Sequence, residues 1–134
     1  MLTRKELKDI IQARLDDADA LHAAGRYDGA IYLCGYAVEL ALKCRICITL
    51  RWAGFPSEPG EFKNYQSLKT HTLDVLLALS GYENRIKKNP ITFAAWSDVA
   101  SWNPEARYKT VGSATASNTQ KVIASAKILV RALL

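Results

Sequence analysis

Apolar residues recur every three or four positions along most of this chain, which is the spacing of α-helices. The first such segment starts almost at the N-terminus and has its charged residues mainly on the opposite side. Thr3 and Glu6 form a capping box, and Leu2 and Leu7 have the spacing of a hydrophobic staple. The pattern predicts an amphipathic helix that begins at Thr3 and stops at Gly25.

The second segment, Arg26–Trp52, is apolar on almost every side and contains no proline. As one helix it would be roughly 40 Å long, and the short link at Gly25 predicts that it packs antiparallel to the first helix. Its polar side chains fall on one stripe, at spacings of four, three and four residues: Tyr32, Tyr36, Glu39 and Lys43. A helix of this kind is usually buried, inside a bundle or at a subunit interface.

Burial creates a charge problem on this stripe, because an unpaired buried charge is very unfavourable. We expect Glu39 to pair with a cation, either Lys43 at the i,i+4 position or Arg107 from another segment. Such a pair would make the stripe mainly structural. If Glu39 instead faced an open cleft together with Tyr36 and Arg107, the stripe would favour ligand binding.

The remaining chain carries further helix signals and no strand signals. Residues 54–69 are expected to form a loop, and the leucine-rich segment after them is predicted to be a helix that Gly81 caps. Asn89 followed by proline is a start signal for a helix over 91–102, and Asn103 followed by proline repeats it for a short piece. A last helix is predicted to run to Leu134. We therefore predict one all-α domain over 1–134, an antiparallel four-helix up-and-down bundle with additional short helices.

Composition narrows the class of protein. The 134 residues are 49% hydrophobic and 23% charged, as in ordinary soluble domains. A net charge of +5 with a pI near 9.2 favours polyanionic partners or simply a solvated basic surface. The three cysteines all lie on the long helix, so we expect them to pack in the core in a reducing compartment. We see no targeting segment, membrane span, metal-ligand spacing or cofactor motif, and predict a cytoplasmic protein.

Four groups of residues outside the first helix could carry chemistry. The stripe on the long helix is one. Trp102 and Tyr108 flank Arg107, and an arginine beside aromatic rings can hold a phosphate, stack on a base or pair with a buried carboxylate. His71 opens a helix, where a lone histidine is most often structural or surface-exposed. The fourth is a loop run of basic residues, which is solvated or contacts phosphates: Arg85, Lys87 and Lys88.

Three segments together resemble the HEPN family, the higher-eukaryote and prokaryote nucleotide-binding domain: GRYDGAIYLCGYAVELALKCRI, THTLDVLLALSG and WNPEARY. The resemblance implies a helical bundle that commonly dimerises. Family members act as metal-independent RNases in toxin–antitoxin and other defence systems, or as non-catalytic nucleotide- or RNA-binding modules. Many occur beside a minimal nucleotidyltransferase. RNase members carry arginine, then four to six residues, then histidine; here no histidine follows Arg107, since His22 and His71 are the only two.

The resemblance and the absence of the arginine–histidine pair lead to one main prediction. The protein is expected to be a non-catalytic binding module that forms a cytoplasmic homodimer. It is expected to engage a nucleotide, RNA or a nucleotidyltransferase partner. The residues that match the family's polar and aromatic positions are the expected ligand contacts: Tyr36, Glu39, Lys43, His71, Trp102, Arg107 and Tyr108. One alternative is an RNase with a divergent site, in which Arg107 orients phosphate and His71 transfers the proton. Another is a helical scaffold whose long helix serves dimerisation.

Overall fold

A computed structural model describes residues 1–134, apart from the side chain of Arg107. The chain is 72% helical, so the predicted all-α class is confirmed, whereas the four-helix up-and-down order stays a prediction. The helices follow one another as α1 (Arg4–Ala23), α2 (Tyr27–Thr49), α3 (Leu73–Ser80), α4 (Glu83–Lys88), α5 (Pro90–Val99) and α6 (Ala116–Leu133). Short 3₁₀ helices cover Pro59–Phe62, Gln66–Leu68 and Pro104–Tyr108.

The N-terminus of α1 has the predicted capping box. The Thr3 hydroxyl accepts a hydrogen bond from the Glu6 backbone N–H, and the Glu6 carboxylate accepts one from the Thr3 N–H at 2.8 Å. The structure adds two short strands that the sequence did not predict, β1 (Leu2–Thr3) and β2 (Gly54–Phe55), which pair antiparallel. Two residues are too few for an alternating pattern to show. A Cβ on Gly54 would overlap the backbone of Leu2, so this pairing requires glycine.

The long helix α2 is the centre of the fold, because α1, α3 and α6 all pack against it. Its three cysteines are buried and unpaired, which confirms their predicted place in the core. The predicted range Arg26–Trp52 was too long, since α2 begins one residue later and ends at Thr49. Arg51 ends the helix in the left-handed region (φ 57°), where the N–H of Trp52 reaches the Cys47 carbonyl at 2.8 Å. A residue with this conformation stops a helix without glycine or proline.

Between α3 and α5, the two predicted helix caps are confirmed. Gly81 caps α3 with φ 78°, and the Asn89 side chain accepts hydrogen bonds from the first turn of α5, as predicted. The expectation of a loop over the basic run was wrong, because Arg85, Lys87 and Lys88 lie on α4. This helix has six residues and buries only Ile86, so its sequence shows no helical periodicity. Helix α5 ends at Val99 rather than at Trp102, which leaves the indole on an irregular segment.

The polar stretch before α6 is fastened to the start of α2 by Asp28. Its carboxylate accepts hydrogen bonds from the backbone N–H groups of Gly112 (2.6 Å) and Ala114 (3.0 Å). These bonds lower the pKa of Asp28 below its ordinary value, with the Gly112 bond contributing most. No helix of the described chain is long and apolar enough to cross a membrane.

Candidate functional site

A cleft of about 460 Å³ opens beside the middle of α2. One wall is α2 itself, a second is the segment that leads into α3, and a third is the segment that follows α5. Four of the seven predicted site residues line it: Tyr36, Glu39, His71 and Trp102. Residues 69–72 and 102–105 thus complete a site that begins on the long helix.

Glu39 forms the floor of the cleft and is 1% exposed. Lys43 Nζ lies 3.1 Å from one of its carboxylate oxygens, and His71 Nδ1 lies 3.0 Å from the other. The predicted pairing of Glu39 with Lys43 is confirmed, and His71 is a second partner that sequence analysis missed. Because both oxygens are occupied, Glu39 serves this cluster as a structural anion rather than as an open ligand contact.

His71 faces the other way, because its side chain is 65% exposed although it is bonded to a buried carboxylate. A carboxylate only accepts hydrogen bonds, so Nδ1 is the donor, and the neutral ring keeps Nε2 as an acceptor. No described residue bonds to Nε2. Glu39 therefore fixes both the orientation and the tautomer of an imidazole whose second nitrogen is available at the cleft.

Lys43 supports the cluster without lining the cleft. Its ammonium group is bonded to Glu39 and lies 5.3 Å from the centre of the Phe55 ring, against β2. The side chain is only 14% exposed. The prediction that Lys43 contacts a ligand is therefore not supported by its position, since its charge is already used inside the fold.

Aromatic rings form the wall of the cleft opposite His71. The rings of Tyr32 and Trp102 lie 6.0 Å apart, and Trp102 packs so closely on α2 that a Cβ on Gly35 would overlap the indole. Burial raises the pKa of Tyr36, and the charge of Glu39 raises it further, so this phenol stays neutral. Trp102 also walls a second cavity, of about 260 Å³, on its other side.

The indole nitrogen of Trp102 is buried and has no hydrogen-bond partner among the described residues. Buried polar groups are nearly always paired, so an unpaired donor is unusual. Packing against α2, rather than a hydrogen bond, therefore holds the Trp102 side chain in place.

Two predicted site residues, Tyr108 and Arg107, are not among the residues described as lining the cleft. Tyr108 lies at the end of the 3₁₀ helix Pro104–Tyr108, is 72% exposed and does not line the cleft. The side chain of Arg107 is outside the described part of the structure, and so is its predicted pairing with Glu39.

Tyr32 belongs to the predicted polar stripe and also lines the cleft. Five cleft residues were not predicted: Lys69, Thr70, Thr72, Pro104 and Glu105. They lie in segments without helical periodicity, so no pattern connected them to α2. Among the described residues, no three histidine, cysteine or acidic side chains group together as metal ligands.

Comparisons with family models, curated proteins and solved structures found no match to this chain. The HEPN resemblance therefore stays a prediction, and the function has to be argued from the cleft.

Proposed function

We propose that this protein is a non-catalytic binding module of the HEPN type that holds a nucleotide or a short stretch of RNA in the cleft beside α2. The observation that carries the proposal is the juxtaposition of three aromatic side chains with an oriented histidine. Tyr32, Tyr36 and Trp102 line the cleft together with His71, whose ring Glu39 orients through Nδ1. Aromatic faces bind bases by stacking with little regard to sequence.

Two charged side chains of opposite sign line the cleft and form no ion pair with a described residue, Lys69 and Glu105. The anionic group of a ligand would bind beside Lys69. Glu39 is neutralised by Lys43, so the floor of the cleft does not repel a phosphate as an isolated carboxylate would. The net charge of +5 attracts polyanions over longer distances.

A binding titration tests this proposal with two matched variants. Tyr36→Ala removes a cleft ring, and Tyr65→Ala removes a ring of the same kind that does not line the cleft and is 45% exposed. We expect Tyr36→Ala to weaken binding of a labelled single-stranded RNA by roughly 5- to 100-fold, the range for losing one base stack. Tyr65→Ala should leave binding unchanged.

The titration is repeated with a mononucleotide at about 0.05 M and about 0.2 M salt, because phosphate contacts weaken with salt. Absence of binding to both ligands at the lower salt would overturn the nucleotide and RNA proposal.

The partners belong to the same proposal. A homodimer, a minimal nucleotidyltransferase partner and a toxin–antitoxin or defence role come from the family resemblance. A cytoplasmic location is proposed from the three free cysteines, which suit a reducing compartment. Light scattering coupled to size-exclusion chromatography tests the homodimer. A strict monomer over a wide range of concentrations contradicts the dimer, and also the alternative of a dimerisation scaffold.

The contact between His71 and Glu39 specifically favours a second candidate, a metal-independent RNase with a divergent site. An imidazole held by a carboxylate is suited to general-base catalysis. Here Nε2 would take the proton from a ribose 2′-hydroxyl as that oxygen bonds to phosphorus and the 5′-oxygen leaves, with solvent protonating the leaving group. In this candidate Arg107 orients the phosphate.

The RNase candidate predicts cleavage of RNA in the presence of EDTA. His71→Ala and Arg107→Ala should abolish cleavage, whereas His22→Ala, at the distant end of α1, should leave it unchanged. Purified protein that leaves RNA intact removes this candidate and does not affect the binding proposal.

A further inference from the structure

Two arginines converge on one tyrosine at the corner between α3 and α4. The guanidinium carbons of Arg45 and Arg85 lie 4.4 Å and 4.6 Å from the centre of the Tyr82 ring. The two positive charges are therefore at most about 9 Å apart. Arg85 also donates a hydrogen bond to the Tyr82 hydroxyl at 2.9 Å. The ring thus holds two like charges close together.

Neither guanidinium forms an ion pair with a carboxylate of the described residues. The nearest acidic residue along α4, Glu83, pairs with Lys87 at 3.4 Å. In addition, the Nε atom of Arg45 is buried and has no hydrogen-bond partner in the described structure. Two like charges on one ring add up to a local positive potential that favours an anion from solution.

The positive charge extends onto α1. Cys44, the neighbour of Arg45, has its Sγ 3.9 Å from the backbone carbonyl oxygen of Arg4. Burial raises the pKa of this thiol, while the charges of Lys8, Arg4 and Arg45 act in the opposite direction. Arg4, Lys8 and Arg85 are exposed to solvent. Together these residues make up what we call the basic face: Arg4, Lys8, Arg45, Tyr82 and Arg85.

We propose that the basic face binds the phosphate backbone of a single-stranded nucleic acid. A guanidinium that rests on an aromatic ring still has N–H groups at its edge that can bind phosphate oxygens. In Arg45 these exclude the buried Nε, and in Arg85 they exclude the N–H group that bonds to Tyr82. The ring also restricts the side chains of Arg45 and Arg85 before binding, which lowers the entropy lost on association.

The composition of the face favours a nucleic acid over an acidic peptide. Protein interfaces depend on buried aromatic or aliphatic anchors at their centre. The one apolar group of the basic face is the Tyr82 ring, which is half-buried and already covered by guanidinium groups. A strand with regularly spaced charges fits such a surface, because contact with phosphates requires no apolar pocket.

The basic face is separate from the cleft. None of the five residues of the basic face lines it, and Lys43, which lies two positions before Arg45, is committed to Glu39. Failure of the proposed cleft function would therefore leave the basic face standing, and the reverse is also true.

Two double variants of equal net charge test the proposal. Arg4→Gln with Arg85→Gln removes two cations from the face, and Lys63→Gln with Arg131→Gln removes two exposed cations elsewhere. Binding of a labelled single-stranded oligonucleotide is measured by fluorescence anisotropy over a salt series. For the face variant we expect a loss of affinity and a salt slope that falls by about 0.7 for each lost phosphate contact.

Equal affinities and slopes for the two double variants overturn the proposal. Equal binding of an oligoglutamate of the same charge, with the same dependence on Arg85, also overturns it, because the face would then recognise acidic chains in general. Tyr36→Ala separates the two sites: it weakens binding through the cleft, and its salt slope stays that of the wild type. The unfolding midpoints of all variants verify that each one is folded.

Discussion

The cleft and the basic face both use charged side chains of α2, yet they treat those charges in opposite ways. In the cleft, Glu39 is 1% exposed and has a bonded partner on each oxygen, the Lys43 ammonium group on one and His71 Nδ1 on the other. On the basic face, Arg45 and Arg85 share one ring and no carboxylate of the described chain neutralises them. Burial accounts for part of the difference. Glu39 is a buried ion that needs a partner inside the fold, whereas Arg85 is exposed and is stabilised by water and salt. Arg45 is half-buried and rests on the Tyr82 ring instead of on a carboxylate.

The comparison suggests how to read charged residues in a chain of this kind. Charges that the fold neutralises hold other groups in place, as Glu39 does for His71. Charges that the fold brings together without neutralising them mark a surface where an external anion completes the arrangement.

The largest effect should come from removing a cation from the buried cluster. Lys43→Met leaves Glu39 with only the exposed His71 as a partner, so we expect the free energy of unfolding to fall by about 3 kcal/mol. The matched control is Lys87→Met, which breaks an exposed pair with Glu83 and should change it by less than about 0.5 kcal/mol. Urea denaturation of both variants measures the difference. If the two losses were equal, the contrast between buried and exposed charges would not hold.

A methyl group on α2 beneath the Trp102 indole should have the next largest effect. Gly35→Ala places a Cβ where the Trp102 indole now lies, and such overpacking lowers stability by about 1–3 kcal/mol. Gly60→Ala is the control, because a Cβ there meets no atom and its φ is not positive. Near-ultraviolet circular dichroism should change for Gly35→Ala alone, as the indole shifts. An unchanged spectrum and an unchanged unfolding midpoint would contradict the tight contact.

A smaller effect is expected for Arg51, a cation of α2's C-terminal end that is not part of the basic face. Arg51 is exposed and holds a left-handed conformation at the end of α2, which glycine adopts without strain. We expect Arg51→Gly to raise the free energy of unfolding by about 1 kcal/mol. Oligonucleotide affinity and its salt slope should stay constant, since Arg51 is not part of the basic face. A drop in the slope would extend the face to this residue.

The smallest effect concerns a charge that backbone donors satisfy. The folded pKa of Asp28 lies below its ordinary value near 3.8, because Gly112 and Ala114 donate to its carboxylate. This carboxylate therefore stabilises the fold above that value, and its contribution disappears as the pH falls through the lowered folded pKa.

Asp28→Asn should accordingly lower the urea midpoint at about pH 7, and its difference from the wild type should shrink in acid. Asp16→Asn is a suitable control, because that carboxylate accepts a bond only from the side chain of Gln12. A difference between wild type and Asp28→Asn that grew in acid would show that the carboxylate does not fasten the segment before α6.

The sequence predicted what short-range signals determine. The capping box at Thr3, the Asn89 cap and the pair of Glu39 with Lys43 all involve residues within four positions, and the structure has each of them. It did not predict that His71 reaches Glu39, because the two are 32 residues apart and His71 follows a segment with no period.

The basic face was predicted only in part, for a similar reason. Arg85 belongs to the basic run that the sequence indicated as a possible phosphate contact. Arg45 lies on α2, and only the packing of α3 and α4 against the bundle brings the two arginines to Tyr82. Chain folding, rather than local pattern, creates both candidate sites.

Gly35 limits the substitutions that this sequence can accept as it diverges. Every substitution of a glycine adds at least a Cβ, so no mutation of Gly35 is conservative while Trp102 lies against it. One residue thereby ties together the aromatic wall of the cleft and the cavity behind it. We expect relatives that keep a tryptophan at position 102 to keep glycine at position 35, even where the surrounding surface has changed beyond recognition.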